Sequence, residues 1–381
     1  MEKIKYSKCI VILFLLLVFG FTGATFAAPE RTFSENENRM LATAPEFSWK
    51  TLFEGKFTSD YETYITDQFF LRDQWIQLKT LSEMAINKQD VNGVYIGKDG
   101  YLIERHETSK VDAEMLAKSL ERLEEFTKKY AEKLGTDHVK IMLVPTASEI
   151  LLDKLPMFAT GFDQNGMLDS LYERLPEGTA LDVRDMLMTH ADEYIYYKTD
   201  HHWTTLGAFY AYQAWAEAMG FEVPDLKDVK QTAVSEEFHG TVYSKLNLDL
   251  SKDTMHRFEL PSTPSKVEVT LDMASKMDTM YNEKYLSMKD KYSYYLDGNH
   301  GLTEITSNGE GKGTLLIIKD SYAHCFAPFT VGNYKKVYMV DFRYFNMPIS
   351  SFIEQYGITD VLVLYNAVTF ATDTHSGAFV R

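Results

Sequence analysis

The chain has 381 residues and a formal net charge of −16 at pH 7. This acidity argues against nucleic acid as a partner, because binding to a phosphate backbone requires a basic surface. Hydrophobic residues make up 45% of the sequence and aromatic residues 14%, which predicts a globular protein with a sizeable core. The length exceeds that of most single domains but does not require two domains.

The N-terminal segment, residues 1–28, is predicted to be an export signal. Three lysines precede the apolar stretch 10–21, and small residues follow it. This order is typical of a secretory signal peptide, with cleavage favoured after Ala27 or Ala28. The alternative is an uncleaved N-terminal anchor, because the apolar stretch nearly reaches the ~18–20 residues that a membrane span needs. In both cases the remainder of the chain is expected outside the cytoplasm, in the cell envelope or the extracellular space.

The cysteine content is low, with Cys9 and Cys325 alone in the sequence. Cys9 precedes the apolar stretch of the signal, which is not the position of a lipoprotein cysteine. A mature chain that keeps only Cys325 has no internal disulfide, so its core must hold the fold together.

The chain after the signal begins with a segment that lacks periodicity. Residues 29–50 are polar, and we interpret them as an extended arm that leads into a domain at 51–381. Apolar residues recur at helical spacing over 52–86, and an interruption is predicted at 67–73.

The rest of the domain alternates short apolar strands with helices, a pattern typical of an α/β fold with a mostly parallel sheet. A β-hairpin at 94–103 and an amphipathic helix at 113–134 come first. A small inserted region that contains β-strands is predicted at about 238–310. The predicted sheet strands are 139–144, 179–183, 314–318, 336–340 and 360–365, and helices at 166–175, 206–219 and 349–356 separate most of them.

The segment 199–205 places an aspartate two residues before a histidine, ahead of a predicted helix. On one loop, Asp200 can fix the tautomer of His202 and stabilise its charged form while His202 acts as a base. The histidine can instead cap or pack against the start of the helix. With His201 alongside, the group also suggests a metal site. However, adjacent histidines usually point apart and no further histidine or cysteine cluster accompanies them, so no metal is expected.

A candidate nucleophile lies in the segment Lys319-Asp320-Ser321-Tyr322. The strand at 314–318 precedes it and a helix is predicted to follow. Ser321 would therefore occupy a strand-to-helix turn, where a backbone N–H and the helix dipole can stabilise an oxyanion. The alternative is an ordinary helix N-cap, where serine is common.

Other polar and aromatic residues follow strand ends or flank the histidine. Asn366 can donate its amide to an oxyanion, or it is a simple turn residue. Arg343 and Tyr344 can line a substrate cleft, or the arginine forms a solvated salt bridge. The full set of candidate oxyanion and substrate-binding residues is Asn366, Arg343, Tyr344, His201 and Trp203.

The tetrad Asp200-His201-His202-Trp203 resembles the motif of the bacterial DHHW proteins, which are similar to the SGNH-hydrolase-like proteins of the alginate O-acetyltransferase group. The resemblance implies an SGNH-like three-layer α/β sandwich. It also implies a catalytic triad in which Ser321 is the nucleophile, His202 the base and Asp200 the residue that orients the base. Further segments resemble family motifs in the same order, namely 33–39, 67–73, 97–102, 319–322 and 340–345.

The resemblance implies transfer of acetyl groups to the hydroxyls of a polysaccharide outside the cell, often beside a membrane-bound O-acyltransferase that exports the acyl group. No cofactor is expected. A carbohydrate acetylesterase with the same triad is one alternative, because water can replace the sugar as acceptor. A catalytically silent protein that binds polysaccharide or an acyltransferase partner is another. Two features keep this alternative open: the poorly patterned insertion at about 238–310, and Lys319, since many SGNH proteins have glycine there and a lysine can crowd the turn.

Overall fold

The computed structural model describes residues 2–34, 36–37 and 39–381. This part of the chain divides into two compact units. The N-terminal unit comprises the residues up to Lys88 together with Ser244–Leu248, and the main unit comprises Gln89–Tyr243 and Asp249–Arg381. All of the candidate site residues belong to the main unit.

Helices dominate the N-terminal unit. Its longest helix contains Tyr6–Ala27, which is the one segment among the described residues that is long and apolar enough to cross a membrane. The predicted interruption at 67–73 is present, because Leu71 adopts a left-handed conformation with φ of 58° between two helices. The elements are α1 (Glu2–Ala27), β1 (Phe33–Ser34), β2 (Arg39–Met40), α2 (Trp49–Phe53), α3 (Lys56–Gln68) and α4 (Arg72–Ala85).

An ion pair joins two of the family-like segments within this unit. The Arg39 guanidinium donates to both carboxylate oxygens of Asp67, at 2.9 and 2.5 Å, and the Ala42 N–H donates to the same group at 2.9 Å. The Arg39 hydrogen bonds hold the pKa of Asp67 below its ordinary value. Glu35 and Asn38, which also belong to the segment 33–39, lie outside the described residues.

The main unit contains most of the strands. A small three-stranded sheet comes first in sequence, and the strands of a large sheet follow. A separate antiparallel pair lies in sequence between the first strand of the large sheet and the rest. They are β3 (Asp90–Val91), β4 (Val94–Ile96), β5 (Leu102–Glu104), β6 (Val139–Val144), β7 (Lys230–Phe238), β8 (Asp253–Glu259), β9 (Val267–Leu271), β10 (Ser275–Met277), β11 (Leu302–Ser307), β12 (Thr314–Lys319), β13 (Lys336–Val340) and β14 (Asp360–Asn366).

The helices of the main unit lie between these strands in sequence, except for the last helix, which follows β14. Thr204 caps α9 by accepting a hydrogen bond from the Gly207 N–H at 3.3 Å. Gly207 is required there, because a Cβ atom would lie 2.4 Å from the carbonyl oxygen of Ile195. The helices are α5 (Ala113–Leu134), α6 (Ala147–Ile150), α7 (Gln164–Tyr172), α8 (Arg184–Thr189), α9 (Thr205–Ala218), α10 (Thr241–Leu246, whose residues from Ser244 onward belong to the N-terminal unit), α11 (Ala323–Thr330), α12 (Ile349–Gln355) and α13 (Ala367–Thr372).

The large sheet is mixed, with the strand order β10-β9-β11-β13-β12-β14-β6. The strands β6, β14, β12 and β13 pair in parallel, whereas β11, β9 and β10 add to the edge in antiparallel pairs. The expectation of a mostly parallel sheet is therefore corrected to a mixed sheet. The antiparallel strands come from the stretch 238–310, whose short alternating segments extend the sheet through the pairing of β11 with β13.

The predicted strand at 179–183 is not a strand of this sheet. Ala180 forms an isolated bridge with Ile141, through the Thr179 carbonyl oxygen and the Leu181 N–H. The apolar run is too short and too soon broken by α8 to continue the pairing along β6.

The central strand β12 is buried on both faces. Leu315 and Ile317 point into the apolar cluster that includes α9 and α11, whereas Leu316 and Ile318 point into the cluster that includes α5 and α12. Burial of each such side chain stabilises the fold by ~1.5–3 kcal/mol. The strand is therefore a rigid support for the turn that follows it.

Candidate active site

Ser321 lies in the turn between β12 and α11 and is partly exposed. The buried carboxylate of the preceding residue, Asp320, shapes this turn. One of its oxygens accepts from the Tyr322 N–H and the other from the Asn366 N–H at the end of β14, both at 2.9 Å. The turn is thereby joined to the neighbouring parallel strand. It lies at the carboxyl ends of the parallel strands, where the functional loops of α/β proteins are found.

The loop before α9 brings a histidine and an aspartate to the same serine. The Nε2 atom of His202 lies 2.7 Å from the Oγ atom of Ser321. The Asp200 Oδ1 atom accepts from the His202 N–H at 3.0 Å and lies 2.5 Å from the His202 Nδ1 atom. With the proton on Nδ1, the Nε2 atom is free to accept the hydroxyl proton of the serine.

Two residues that the sequence analysis did not single out hold Asp200 in place. The Asp200 Oδ2 atom accepts from the Thr241 N–H at 2.8 Å and from the Thr241 hydroxyl at 3.2 Å. Gly240 passes so close that a Cβ atom there would lie 2.2 Å from the Cβ atom of Asp200. This contact comes from a poorly patterned stretch after β7, and the sequence carries no signal that places it beside residue 200.

A second buried carboxylate anchors the start of the same loop. Asp253 accepts from the Lys198 N–H at 2.7 Å, the Thr199 N–H at 2.8 Å and the Thr199 hydroxyl at 2.5 Å. Hydrogen bonds between side chains and backbone N–H groups therefore fix the loop that carries the histidine at two places, at residues 198–199 through Asp253 and at Asp200 through the Thr241 N–H.

Tyr292 also touches the catalytic candidates, although the sequence analysis did not select it. Its ring stacks on the imidazole of His202 with centroids 3.7 Å apart and an angle of 13° between the planes. Its hydroxyl donates to the carbonyl oxygen of Ser321 at 3.2 Å. This one side chain therefore orients the imidazole and the serine turn together.

The electrostatics of the pair favour a neutral histidine and a charged aspartate. Burial, helped by the neighbouring His201, lowers the pKa of His202 to about 4 against the opposing effect of Asp200. Burial alone would raise the pKa of Asp200. The two adjacent histidines and the Thr241 N–H outweigh that effect and hold this pKa below its ordinary value. A neutral imidazole is the form that can accept a proton.

Lys319 does not point into the serine turn. Its side chain is buried, and its Nζ atom lies 2.9 Å from the His324 Nε2 atom and 3.4 Å from the Asp341 Oδ2 atom. The Arg343 guanidinium donates to both oxygens of the same carboxylate, at 2.8 and 2.5 Å. Burial lowers the pKa of Lys319, and Asp341 opposes that effect. The lysine therefore does not crowd the turn and belongs to a buried ionic cluster behind it.

The remaining candidate residues occupy different positions. Trp203 is fully buried, and its indole N–H donates to the Tyr322 carbonyl oxygen at 3.0 Å, so it supports the turn from inside. Tyr344 is exposed. Asn366 is buried and uses its amide oxygen to cap α13, accepting from the N–H groups of residues 368 and 369. Roles in substrate or oxyanion binding stay predictions for all of these residues.

His201 lies beside the triad candidates and is partly exposed. Its Nδ1 atom lies 2.7 Å from the Thr241 hydroxyl. The ligand atoms of Asp200, His201 and His202 lie within 4.8 Å of one another, a spacing that could accommodate a metal ion. The Asp200 carboxylate and the His202 Nδ1 atom are, however, hydrogen-bonded to each other.

A serine, histidine and aspartate joined in this order by hydrogen bonds form the geometry that serine acyl-transfer enzymes use. The sequence model described as DHHW protein matches residues 126–340, which include the loop at 200 and the turn at 321. The chain belongs to this DHHW protein family. A search of curated proteins finds no match.

Two solved structures with TM-scores above 0.6 share the fold, and a third, more distant one is also similar. A DHHW family protein from Eubacterium siraeum is 25% identical, with a TM-score of 0.63 over 76% of this chain and 95% of that chain. PatB1 from Bacillus cereus, whose structure was solved with a sulfonyl adduct, is 17% identical, with a TM-score of 0.61 over 74% of this chain and 97% of that chain. The O-acetyltransferase domain of AlgJ from Pseudomonas putida is 13% identical, with a TM-score of 0.44 over 74% and 93% of the two chains.

Proposed function

We propose that this protein is an exported serine O-acyltransferase that transfers acetyl groups to the hydroxyls of a polysaccharide. The proposal is carried by one observation. The Ser321 hydroxyl lies 2.7 Å from the His202 Nε2 atom, and the Nδ1 atom of the same ring is hydrogen-bonded to the buried Asp200 carboxylate. This chain of atoms can move a proton from the serine at the moment when its oxygen attacks a carbonyl carbon.

In the first step, the Ser321 oxygen attacks the carbonyl carbon of an acetyl donor while the His202 Nε2 atom takes the hydroxyl proton. Asp200 stabilises the imidazolium that forms. The tetrahedral intermediate collapses as His202 returns the proton to the leaving group, and an acetyl ester forms on Ser321. The Ser321 N–H at the strand-to-helix turn is the first proposed donor to the oxyanion, and the Asn366 amide is the second.

In the second step, a sugar hydroxyl gives its proton to the His202 Nε2 atom and attacks the acetyl ester. The intermediate then expels the Ser321 oxygen, which recovers its proton from His202. The products are an O-acetylated sugar and the free serine. Attack by water instead of the sugar would release acetate, and the same residues would then constitute an acetylesterase.

The polysaccharide acceptor is proposed from the family resemblance, and the site offers groups that suit it. The partly exposed side chains of His201 and Arg343, together with the exposed Tyr344, supply hydrogen-bond donors and an aromatic face. The apolar helix α1 supports export, as a signal or an anchor. A membrane-bound O-acyltransferase is the proposed source of acetyl groups on the outer side.

The test is a product assay in which the full chain is mixed with a chromogenic acetyl ester and an oligosaccharide acceptor. We expect the mass of the oligosaccharide to rise by one or more acetyl groups, and Ser321→Ala to abolish this product. Release of acetate alone at every acceptor concentration would assign the esterase instead. If neither product forms, the chain is a binding protein and the proposal is wrong.

A further inference from the structure

Four large apolar residues are exposed along one side of α4, beside the exposed polar residues Gln74, Lys79 and Ser82. The N-cap residue Leu71 precedes Trp75, Leu78 and Leu81, which recur at helical spacing, and these four residues are 47%, 41%, 52% and 51% exposed. We call these residues the α4 stripe. Water-soluble monomers seldom leave several large apolar side chains together on one helix face, so the stripe requires an apolar or interfacial environment.

The α4 stripe adjoins the end of α1. The Phe21 ring lies 5.3 Å from the Trp75 ring and 6.1 Å from the Phe69 ring. One turn further on, the Thr25 hydroxyl accepts from the Phe70 N–H at 3.1 Å. The last turns of α1 are therefore fixed against the start of α4 by ring contacts and a hydrogen bond.

Over its whole length, α1 has the properties of a membrane span. Its apolar side chains from Ile10 to Phe19 are exposed. The stretch Tyr6–Ala27 has 22 residues, which as a helix extend about 33 Å, close to the ~30 Å of a bilayer core. The lysines at 3, 5 and 8 favour a cytoplasmic N-terminus, so Thr25 would emerge on the outer side.

We infer that α1 is retained as a membrane anchor and that the α4 stripe lies in the headgroup region of the outer leaflet of the same membrane. A helix fixed to the exit of a membrane span must lie at the membrane surface, and tryptophan favours that region because its ring is apolar and its N–H is polar. Cleavage after Ala27 or Ala28 would remove Phe21 from Trp75 and the acceptor from the Phe70 N–H. The inference does not depend on the proposed acyltransferase activity.

The tryptophans make this inference measurable. Trp49 and Trp75 lie in the N-terminal unit and are exposed, whereas Trp203 and Trp215 are fully buried in the main unit. The full chain is reconstituted into phosphatidylcholine vesicles with bromine atoms at a shallow acyl position, which quench tryptophan fluorescence on contact. The variant Trp49→Phe reports Trp75 above the buried background, and the double variant Trp49→Phe/Trp75→Phe reports the background alone.

We expect brominated lipid to remove about half or more of the emission that is due to Trp75 and to leave the double variant nearly unquenched. Equal quenching of the two variants would overturn the inference and would leave another membrane protein as the partner of the stripe. Quenching that disappears as the protein-to-lipid ratio rises would assign the stripe to a second copy and would also overturn it. Circular dichroism checks that both variants are folded.

A second measurement tests retention of the helix by itself. The intact mass of the protein extracted from the membranes of the producing cells is expected to include residues 1–28. A mass that begins after Ala27 or Ala28 would contradict the anchor. Neither result bears on catalysis, so failure of this inference is distinguishable from failure of the proposed function.

Discussion

The His202 Nε2 atom lies 2.7 Å from the Ser321 Oγ atom although the two residues are 119 positions apart in the chain. The loop before α9 supplies one residue and the turn after β12 the other. Buried carboxylates fix both segments, since Asp253 holds the loop and Asp320 holds the turn. The contact is therefore built into the fold, and it supports the assignment of the two residues as base and nucleophile.

The first prediction concerns the two ends of this contact. Ser321→Ala and His202→Ala should each lower the turnover of an acetyl ester by roughly a thousandfold to a millionfold, because each removes a member of a unit that acts together. The chain offers a matched control in His375, which bonds to Asp373 two residues earlier through the same N–H and Nδ1 atoms but is exposed. His375→Ala should keep the parental rate, and an equal loss in this variant would refute the assignment.

The second prediction concerns pH. The base must be neutral, and burial lowers the pKa of His202 to about 4 from an ordinary value of 6.5. As pH falls, kcat/KM should hold through the ordinary range of histidine and fall only as pH drops through about 4, where the imidazole gains its proton. A discontinuous chromatographic assay avoids the pH dependence of a dye. A midpoint at or above 6.5, with the fold intact by circular dichroism, would contradict this electrostatic description.

The third prediction concerns the loop that holds Asp200. Gly240→Ala would place a Cβ atom 2.2 Å from the aspartate and displace it. Because a misplacement of about 1 Å can cost a hundredfold in rate, we expect kcat to fall by at least that factor. Gly377→Ala is the control, since its Cβ atom would make an ordinary contact at 3.8 Å with Arg122. Activity of Gly240→Ala within a few-fold of the parent would show that this contact does not position the triad.

The fourth prediction concerns the ionic cluster behind the turn. Lys319→Met removes one of the two cations that compensate the buried Asp341, and it leaves the His324 Nε2 atom without its donor. We expect the free energy of unfolding to fall by about 3 kcal/mol, measured by chemical denaturation. Lys312→Met, at an exposed position, should change it by less than about 0.5 kcal/mol. A stable Lys319→Met variant would mean that Arg343 alone neutralises the carboxylate.

The sequence reveals those parts of the site that are local. Asp200 and His202 are two residues apart, and Ser321 directly follows an apolar strand, so spacing and strand ends are sufficient to select them. Gly240, Thr241 and Tyr292 were missed because they reach the site from irregular segments far away in sequence. Their contacts depend on tertiary packing, which periodicity does not encode.

The same difference between local signals and long-range contacts applies to the fold. The parallel strands were predicted because each is a continuous apolar run buried on both faces. The antiparallel edge was missed because β9 alternates apolar and polar residues like a separate excursion and β11 has only two apolar residues, although both strands pair within the large sheet. The direction of the Lys319 side chain also depends on residues far away in sequence. In the sequence, a lysine beside a nucleophile suggests crowding of the turn. The structure shows that its Nζ atom contacts His324 and Asp341 instead.

The most direct test of the account is covalent labelling of the full chain with phenylmethylsulfonyl fluoride, followed by peptide mass spectrometry. We expect one sulfonyl group per chain, located on Ser321, because a neighbouring neutral imidazole makes this hydroxyl the most nucleophilic. Labelling should be lost in His202→Ala and kept in His375→Ala. An unlabelled Ser321, or equal labelling of Ser321 in His202→Ala and the parent, would contradict the triad.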